Sequence, residues 1–425
     1  MEQLLHYVWK YKLYQPQQLF TTTGNPIEVL DPGIPNSDSG ADFFNAKLRI
    51  GDILWAGSIE IHDKASDWHR HKHDTNPAYD TVVLHVIAQN DMEVKRTDGT
   101  AIPQAILPVP EQVRENINWL LRRDLPVPCL LGIQGIPTVY IHAWMDALLS
   151  ERLERKTSDV LRLLEWTEND WNEVFYISLT RSFGFGINND AFEQLARSLS
   201  FRCIQKQRGS QTQVEALFFG QAGMLAEEKS CHYYRLLQRE YNFLARKYDL
   251  KPPKSNLFKN LRVRPSGRPH LKIAQLAAIW VKYDTLFSSV LEAGTPGEIK
   301  RMFRIEPSEY WKTHYNFDSA PVEKDTQISD SSISILLINT VIPIFMAYSQ
   351  VKNIPEYSMK ALRLLEAIAP ERNSITALFE RAGIVCRNAA DSQSLIQLKR
   401  EYCEKKKCLY CRIGFRLLKR GLQEG

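Results

Sequence analysis

The fold of the N-terminal part depends on one stretch, which reads Asp42-Phe-Phe-Asn-Ala-Lys-Leu-Arg-Ile50, Ile53-Leu-Trp-Ala-Gly-Ser-Ile-Glu-Ile-His62 and, after a polar segment, Thr81-Val-Val-Leu-His-Val-Ile-Ala88. The apolar pattern predicts strands over 43–50, 53–62 and 81–88, with a turn at Gly51-Asp52. Segment 64–80 is predicted to be helical only in its first half, because Pro77 does not fit inside a helix.

The flanking sequence adds a helix before these strands and a turn after them. Apolar residues recur at helical spacing over 1–13, and 27–30 is a short strand ended by Asp31-Pro-Gly33. Asp98-Gly99 predicts a hairpin over 93–102. The predicted order is helix, strand, strand, strand, helix, strand.

Beyond the proline-marked loop 103–110, the pattern changes to long helical stripes. These cover 153–164, 171–179, 191–199, 213–226, 230–247, 270–290, 333–350, 357–368 and 373–383. We therefore predict an α+β fold with a small mixed-sheet α/β domain over 1–110. A large all-helical domain is predicted over 111–425.

The composition describes an ordinary globular protein, with 44% hydrophobic and 24% charged residues. The first residues lack the basic-then-apolar layout of a signal peptide. The longest apolar run, 333–348, is interrupted by Asn339, Thr340 and Pro343, which predicts a buried helix and no membrane partner. The seven cysteines are expected to be reduced, in a cytoplasmic protein. The oligomeric state stays open.

Five of the ten histidines fall within 24 positions, which is typical of metal binding or acid–base chemistry. Strand geometry places Ser58, Glu60 and His62 on one face. His69 is excluded, since it lies beside Trp68 and is expected to point away. The candidate catalytic residues are Asp42, Glu60, His62, Asp67, His71, His73 and His85. Taken singly, each has an alternative interpretation as a solvated or hydrogen-bonded structural residue.

The spacing Asp42-X17-Glu60-X-His62, with a helix and a fourth strand downstream, resembles the core of the PD-(D/E)XK nuclease superfamily. The resemblance covers roughly residues 1–105 and implies a restriction-endonuclease-like domain. It implies that Asp42 and Glu60 hold Mg²⁺ or Mn²⁺. Two departures concern the family's proline, which is Ala41 here, and its lysine, which is His62 here. A neutral imidazole orients water but brings no fixed positive charge.

A second resemblance spans nearly the whole chain, to an uncharacterised bacterial family known only as a domain of unknown function. It is carried by Gly40-Ala-Asp-Phe-Phe-Asn-Ala46, Trp55-Ala-Gly-Ser-Ile-Glu-Ile-His62, Ser66-Asp-Trp68, Ala78-Tyr-Asp80, Val83-Leu-His-Val86, Phe218-Phe-Gly-Gln-Ala-Gly223, Arg262-Val-Arg-Pro265, Ile273-Ala-Gln-Leu276 and Asp391-Ser-Gln-Ser-Leu395. This resemblance implies kinship and no particular activity.

Near the C-terminus, Cys403-X4-Cys408-X2-Cys411 has the spacing of thiolates that share a metal. Zinc is favoured over an iron–sulfur cluster, which some PD-(D/E)XK nucleases carry beside the catalytic domain. The fourth ligand stays open between Cys386 and a distant histidine, and Cys403 is not necessarily a ligand. In the alternative interpretation, Cys408 and Cys411 are small buried apolar residues.

Two basic patches are candidates for binding nucleic acid. The first comprises Arg262, Arg264, Arg268 and Lys272; the second lies between Glu401 and Arg420, where seven basic residues face two acidic ones. A solvated surface explains either patch taken alone.

These features favour a metal-dependent phosphodiesterase, most simply a nuclease that cuts DNA or RNA with carboxylate-bound Mg²⁺ or Mn²⁺. One alternative is a non-catalytic module that binds nucleic acid or protein, with a zinc-stapled helical domain. The other is a zinc hydrolase that uses the histidines as its ligands.

Overall fold

The computed structural model describes residues 2–36, 40–122, 125–253, 258–259, 267–317, 319–323 and 325–419. The chain forms two compact units, one made of Met1–Trp144 with Lys399–Gly425 and the other of Met145–Leu398. The predicted α+β fold is confirmed. The division differs from the predicted boundary at 103–110, because the first unit also contains the following helix and the C-terminal segment.

The first unit is built on a mixed sheet. Its strands are β1 (Ile27–Asp31), β2 (Ile34–Pro35), β3 (Phe43–Ile50), β4 (Ile53–Lys64), β5 (Val82–Gln89) and β6 (Gln104–Ile106). The order is β1-β3-β4-β5-β6, with β2 also paired to β3. Pairings up to β4 are antiparallel, whereas β4–β5 and β5–β6 are parallel. The four strands that the sequence pattern predicts are all present; β2 and β6 are too short for that pattern.

The first unit also contains four helices: α1 (Glu2–Lys10), α2 (Asp67–Arg70), α3 (Glu111–Arg122) and α19 (Arg412–Leu418). Helices α1 and α2 pack against β4, and α19 packs against α3. A fifth helix, α4 (Thr138–Trp166), begins in the first unit. The Asp98-Gly99 turn forms as predicted, with Gly99 at φ +81°, but its flanks make one isolated bridge, Lys95 to Ala101, instead of two strands.

The second unit is helical. Its helices are α5 (Trp171–Ser182), α6 (Asn189–Ser198), α7 (Phe201–Gln207), α8 (Gln211–Gln221), α9 (His232–Tyr248), α10 (Pro269–Lys282), α11 (Leu286–Glu292), α12 (Pro296–Met302), α13 (Glu309–Thr313), α14 (Asp330–Leu336), α15 (Ile342–Lys352), α16 (Pro355–Ala367), α17 (Ser374–Arg381) and α18 (Ala389–Gln397). The predicted stripe 270–290 is two helices, α10 and α11.

A π-helical turn, Leu337–Val341, joins α14 to α15. In the described part of the chain, Asp330–Lys352 is one helix whose length and composition would suit a membrane span, but 61% of its apolar window is buried within the protein. Burial of this degree is typical of a core helix, as the sequence predicts for 333–348.

Strand β4 approaches β5 unusually closely at Gly57. A Cβ at this position would lie 2.4 Å from Cγ1 of Val83 and 2.6 Å from the carbonyl oxygen of Thr81. The register between β4 and β5 shifts between Ser58 and Ile59, directly after this contact. The glycine is therefore needed for the irregularity that sets the position of the next residues of β4.

Candidate metal centre

One face of the sheet carries polar side chains that are fully covered. Glu60 pairs with His85 in the parallel register of β4 and β5, so both side chains point to the same face, and His62 follows two residues later on that face. Glu60, His62 and His85 are only 5%, 2% and 0% exposed. Buried polar groups require partners, and these come from the segment after β4.

That segment folds over the polar face through a tight turn. Helix α2 ends at Arg70, and Lys72 then adopts a left-handed conformation with φ +61°. The turn changes the direction of the chain between His71 and His73, so both imidazoles reach His62, with ring centroids 5.0 and 5.3 Å from it. Tyr79 stacks on His73 at 3.7 Å between centroids.

His62, His71 and His73 form a candidate metal-binding trio. Their ligand nitrogens all lie within 4.8 Å of one another, and no other group in the described ranges meets this criterion. His71 Nδ1 lies 3.2 Å from His62 Nε2. Tetrahedral zinc, with Zn–N bonds of about 2.0–2.1 Å, separates its ligand atoms by about 3.3 Å. His71 is exposed while the other two are buried, so the trio has one side open to solvent.

The contacts of His73 fit a ligand better than a hydrogen-bonding group. Its Nε2 lies 3.1 Å from Glu60 Oε1, yet neither ring nitrogen makes a hydrogen bond of acceptable angle. This is expected of two groups that face one ion, because they direct their lone pairs at the ion and not at each other. A buried imidazole without a partner is otherwise costly.

His85 orients His62. Its Nε2 lies 2.9 Å from Nδ1 of His62, which leaves Nε2 of His62 for the trio. Burial, together with the neighbouring imidazoles, lowers the pKa of His62 to about 3, and burial also lowers that of His85 to about 3. Both rings are therefore neutral at pH 7, which is the form that binds metal.

Glu60 lies beside the trio. Its Oε1 is 3.4 Å from His62 Nε2 as well as 3.1 Å from His73 Nε2. Burial and the nearby charge of Asp42 raise the pKa of Glu60, against the opposing attraction of His73. A carboxylate with a raised pKa next to an ion is suited to proton transfer.

Asp42 is held against Glu60 by reciprocal backbone bonds. The Asp42 amide donates to Glu60 Oε2 at 3.1 Å, and the Ile61 amide donates to Asp42 Oδ2 at 2.8 Å. His6 on α1 lies 3.3 Å from the same Oδ2. Burial alone would lower the pKa of His6, but the hydrogen bond and charge of Asp42 outweigh it and raise the pKa. Asp42 therefore contacts Glu60, which in turn contacts His62.

Two other residues named from the sequence lie outside the trio. The buried Asp67 accepts a hydrogen bond from the Lys64 amide at 3.2 Å and pairs with Arg70 at 2.9 Å, so it fixes the start of α2. The excluded His69 is paired with Asp74 at 2.9 Å. Sequence reasoning missed His6 and Tyr79, since a lone histidine in an apolar helix and a lone tyrosine in a polar segment give no recognisable signal.

The first basic patch is only partly described. Arg262 and Arg264 lie outside the described residues, and Arg268 precedes α10 as its N-cap. Lys272 is 6% exposed, and its ammonium donates to Gln275 Oε1 at 3.0 Å and lies over the ring of Phe185. Because this side chain is buried, it does not present its charge on a surface where a phosphate backbone would run.

Lys272→Met is expected to stabilise the protein by on the order of 2 kcal/mol at pH 7. Burial lowers the pKa of Lys272 to about 8, from a value near 10.5 in the unfolded chain. The resulting penalty is complete below pH 8 and disappears as the pH rises towards 10.5. Urea unfolding of both proteins at several pH values measures the difference between their free energies of unfolding. This difference should shrink as the pH rises, and a difference that does not change with pH would contradict the burial of the charge.

The candidate cysteines fall in both units. Cys403, Cys408 and Cys411 belong to the first unit, with the sheet, whereas Cys386 belongs to the second. The charged neighbours of Cys386 are Asp391 and Glu380. The predicted helical domain with its own C-terminal cysteine cluster is therefore divided between the units.

The chain belongs to the family described as "Protein of unknown function (DUF2851)", which matches residues 2–374. The whole-chain resemblance predicted from the sequence motifs is thereby confirmed, and the three C-terminal cysteines lie beyond the matched residues. No curated protein and no solved structure matches the chain.

Proposed function

We propose that the chain is a metal-dependent hydrolase whose metal ion is held by His62, His71 and His73. The observation that supports this proposal most strongly is the convergence of three ligand nitrogens within 4.8 Å. A ligand set of three histidines, with one side open to solvent, is typical of a catalytic zinc site, in which the fourth position takes water or substrate.

The ligand chemistry favours zinc, or a similar first-row metal, over magnesium. Imidazole nitrogens suit Zn²⁺, whereas Mg²⁺ prefers carboxylate oxygens and water. The geometry thus supports a histidine-ligated hydrolase better than the magnesium nuclease favoured by the sequence pattern. One carboxylate oxygen of Glu60 accepts a hydrogen bond from the Asp42 amide, and one of Asp42 accepts a hydrogen bond from the Ile61 amide, so these two oxygens already have partners.

In this proposal each buried residue around the trio has a definite task. A bound metal lowers the pKa of water and so supplies hydroxide near neutral pH. Glu60 accepts the proton of that water and delivers it to the leaving group, since its Oε1 touches two of the three ligands. His85 fixes the ring of His62, and Asp42 holds the Glu60 carboxylate through its backbone amide.

His71→Ala is expected to remove about one equivalent of metal per chain, because it deletes one of only three protein ligands. His71 is exposed, so the change should leave the fold intact. Elemental analysis of protein loaded with zinc and then desalted measures the loss. His69→Ala is the matched control, since this residue lies two positions earlier and pairs with Asp74. Equal zinc in both variants would refute the site.

A carboxylate-metal nuclease is the second candidate, with nucleic acid as the partner. It is favoured by the order of α1, β1, β3, β4, α2 and β5, and by the adjacency of Asp42 and Glu60. It requires cleavage of DNA or RNA with Mg²⁺ or Mn²⁺ that His71→Ala retains and Asp42→Asn abolishes. The histidine-ligated hydrolase requires instead that His71→Ala abolishes hydrolysis, measured with phosphodiester and carboxyl-ester probes.

A further inference from the structure

The C-terminal cysteines lie on two consecutive turns. Cys408–Tyr410 form a single 3₁₀ turn in which the Cys411 amide donates to the Cys408 carbonyl at 3.2 Å. Helix α19 begins directly after Cys411 and folds back over this turn. A Cβ at Gly414 would lie 2.1 Å from the Cys408 carbonyl oxygen, so only glycine permits this packing.

Cys403 is brought to the same place by a left-handed residue. Lys406 has φ +50°, its amide donates to the Cys403 carbonyl at 3.2 Å, and the Lys407 amide donates to the Tyr402 carbonyl at 2.8 Å. The chain therefore reverses between Cys403 and Cys408. Backbone turns of this kind allow closely spaced thiolates to approach one metal.

The fourth cysteine, Cys129, is distant in sequence from the other three. Cys129 lies in the loop before α4, where its carbonyl accepts the Gly132 amide at 2.9 Å. This loop packs against α19: a Cβ at Gly132 would lie 3.0 Å from Cδ2 of Leu417. Asn116 of α3 also donates to the Leu418 carbonyl at 3.2 Å. The loop is thus in direct contact with α19, which starts directly after Cys411.

Three of the four thiols are buried, and Cys403 is partly buried. Cys129, Cys408 and Cys411 are 8%, 9% and 7% exposed. Each of the four thiols interacts electrostatically with the other three. Burial and these neighbours raise the pKa of Cys129 and of Cys403, and raise that of Cys408 to about 11.

We propose that Cys129, Cys403, Cys408 and Cys411 together hold one thiophilic metal centre, with Cys129 as the fourth ligand. The charge around the site suits such a centre. Four thiolates around Zn²⁺ leave a net charge of about −2, and the nearby ammonium groups of Lys399 and Lys406 favour the thiolate form of Cys403 and Cys408 respectively. Cys386, the candidate suggested by sequence order, belongs to the other unit.

The metal is expected to draw the sulfurs together. A tetrahedral zinc site with Zn–S bonds of about 2.3 Å separates its sulfurs by about 3.8 Å. In the described part of the chain, the histidine trio is the one group whose ligand atoms all lie within 4.8 Å. The centre is independent of the proposed hydrolase.

The proposal is tested by the metal content of the full chain purified without chelator. We expect His71→Ala to retain about one equivalent of zinc, which is the zinc bound by the four cysteines, and Cys129→Ser to lose that equivalent. Cys386→Ser is the matched control and should retain the metal. Iron with acid-labile sulfide and absorption in the visible range would identify the centre as a cluster on the same four ligands.

A second measurement does not depend on the folding of a variant. Stepwise titration of wild-type protein with a mercurial reagent should release the metal as thiols react, and peptide mapping should assign the reacting thiols to Cys129, Cys403, Cys408 and Cys411. Either full metal retention in Cys129→Ser or release without modification of Cys129 would overturn the proposal. A purified chain that contains neither zinc nor iron, and binds neither on addition, would overturn it as well.

Discussion

Replacing Glu60 with glutamine is expected to slow hydrolysis by about 10²–10⁴-fold while the metal remains bound. Glutamine keeps the shape of the side chain and its contact with the Asp42 amide, which donates to Oε2 at 3.1 Å. It cannot take up a proton from bound water. Because the three histidines provide the metal ligands in our proposal, the zinc content of Glu60→Gln should equal that of the wild type.

Turnover of an ester or phosphodiester probe, with zinc analysis of the same sample, measures both parts of this expectation. Glu28→Gln is a suitable control, since Glu28 lies on β1 and its side chain is 61% exposed. Loss of zinc in Glu60→Gln would make Glu60 a ligand. Unchanged turnover with zinc retained would exclude it as the proton acceptor.

Gly57→Ala is expected to destabilise the protein by about 1–3 kcal/mol and to weaken metal binding. The added methyl group would lie 2.6 Å from the Thr81 carbonyl oxygen, which belongs to the backbone and cannot rotate away. The strands must separate to admit it. Since β4 carries Glu60 and His62 three and five residues further on, their position relative to His85 on β5 should change as well.

Denaturant unfolding and a zinc titration of Gly57→Ala measure the two effects. Gly209→Ala is the matched control, because nothing lies within 4 Å of its Cβ position and its φ is not in the left-handed region. It should be neutral or slightly stabilising. If both variants had wild-type stability, the close approach of β4 to β5 would not be a real constraint.

The sheet was predictable because its signal is local. Alternation over 43–50 and 53–62, and the continuous apolar run 81–88, give strands whose bounds agree with the structure to within two residues. The position of Glu60 and His62 on one face follows from the same period. The α2 segment was also predictable, because Pro77 limits any helix there to the first half of the polar segment.

The parts that the sequence did not predict depend on contacts between distant residues. His6 meets Asp42, and the thiol of Cys129 interacts with that of Cys411, across separations that no periodicity records. The turn at Lys72 depends on a left-handed lysine, where glycine or asparagine would have been expected. Nothing in the composition of 399–425 indicates that this segment belongs to the first unit, so the boundary predicted at 103–110 does not include it.

That return has a consequence for how the protein is made. One part of the first unit precedes Met145–Leu398 in the chain and the other part follows it, so the two parts are synthesised at different times. Helix α19 packs against the Gly132 loop and α3, so these two elements lack this partner while Met145–Leu398 is synthesised. A nascent chain stalled before residue 399 would therefore lack the contacts of α19 with Gly132 and Asn116.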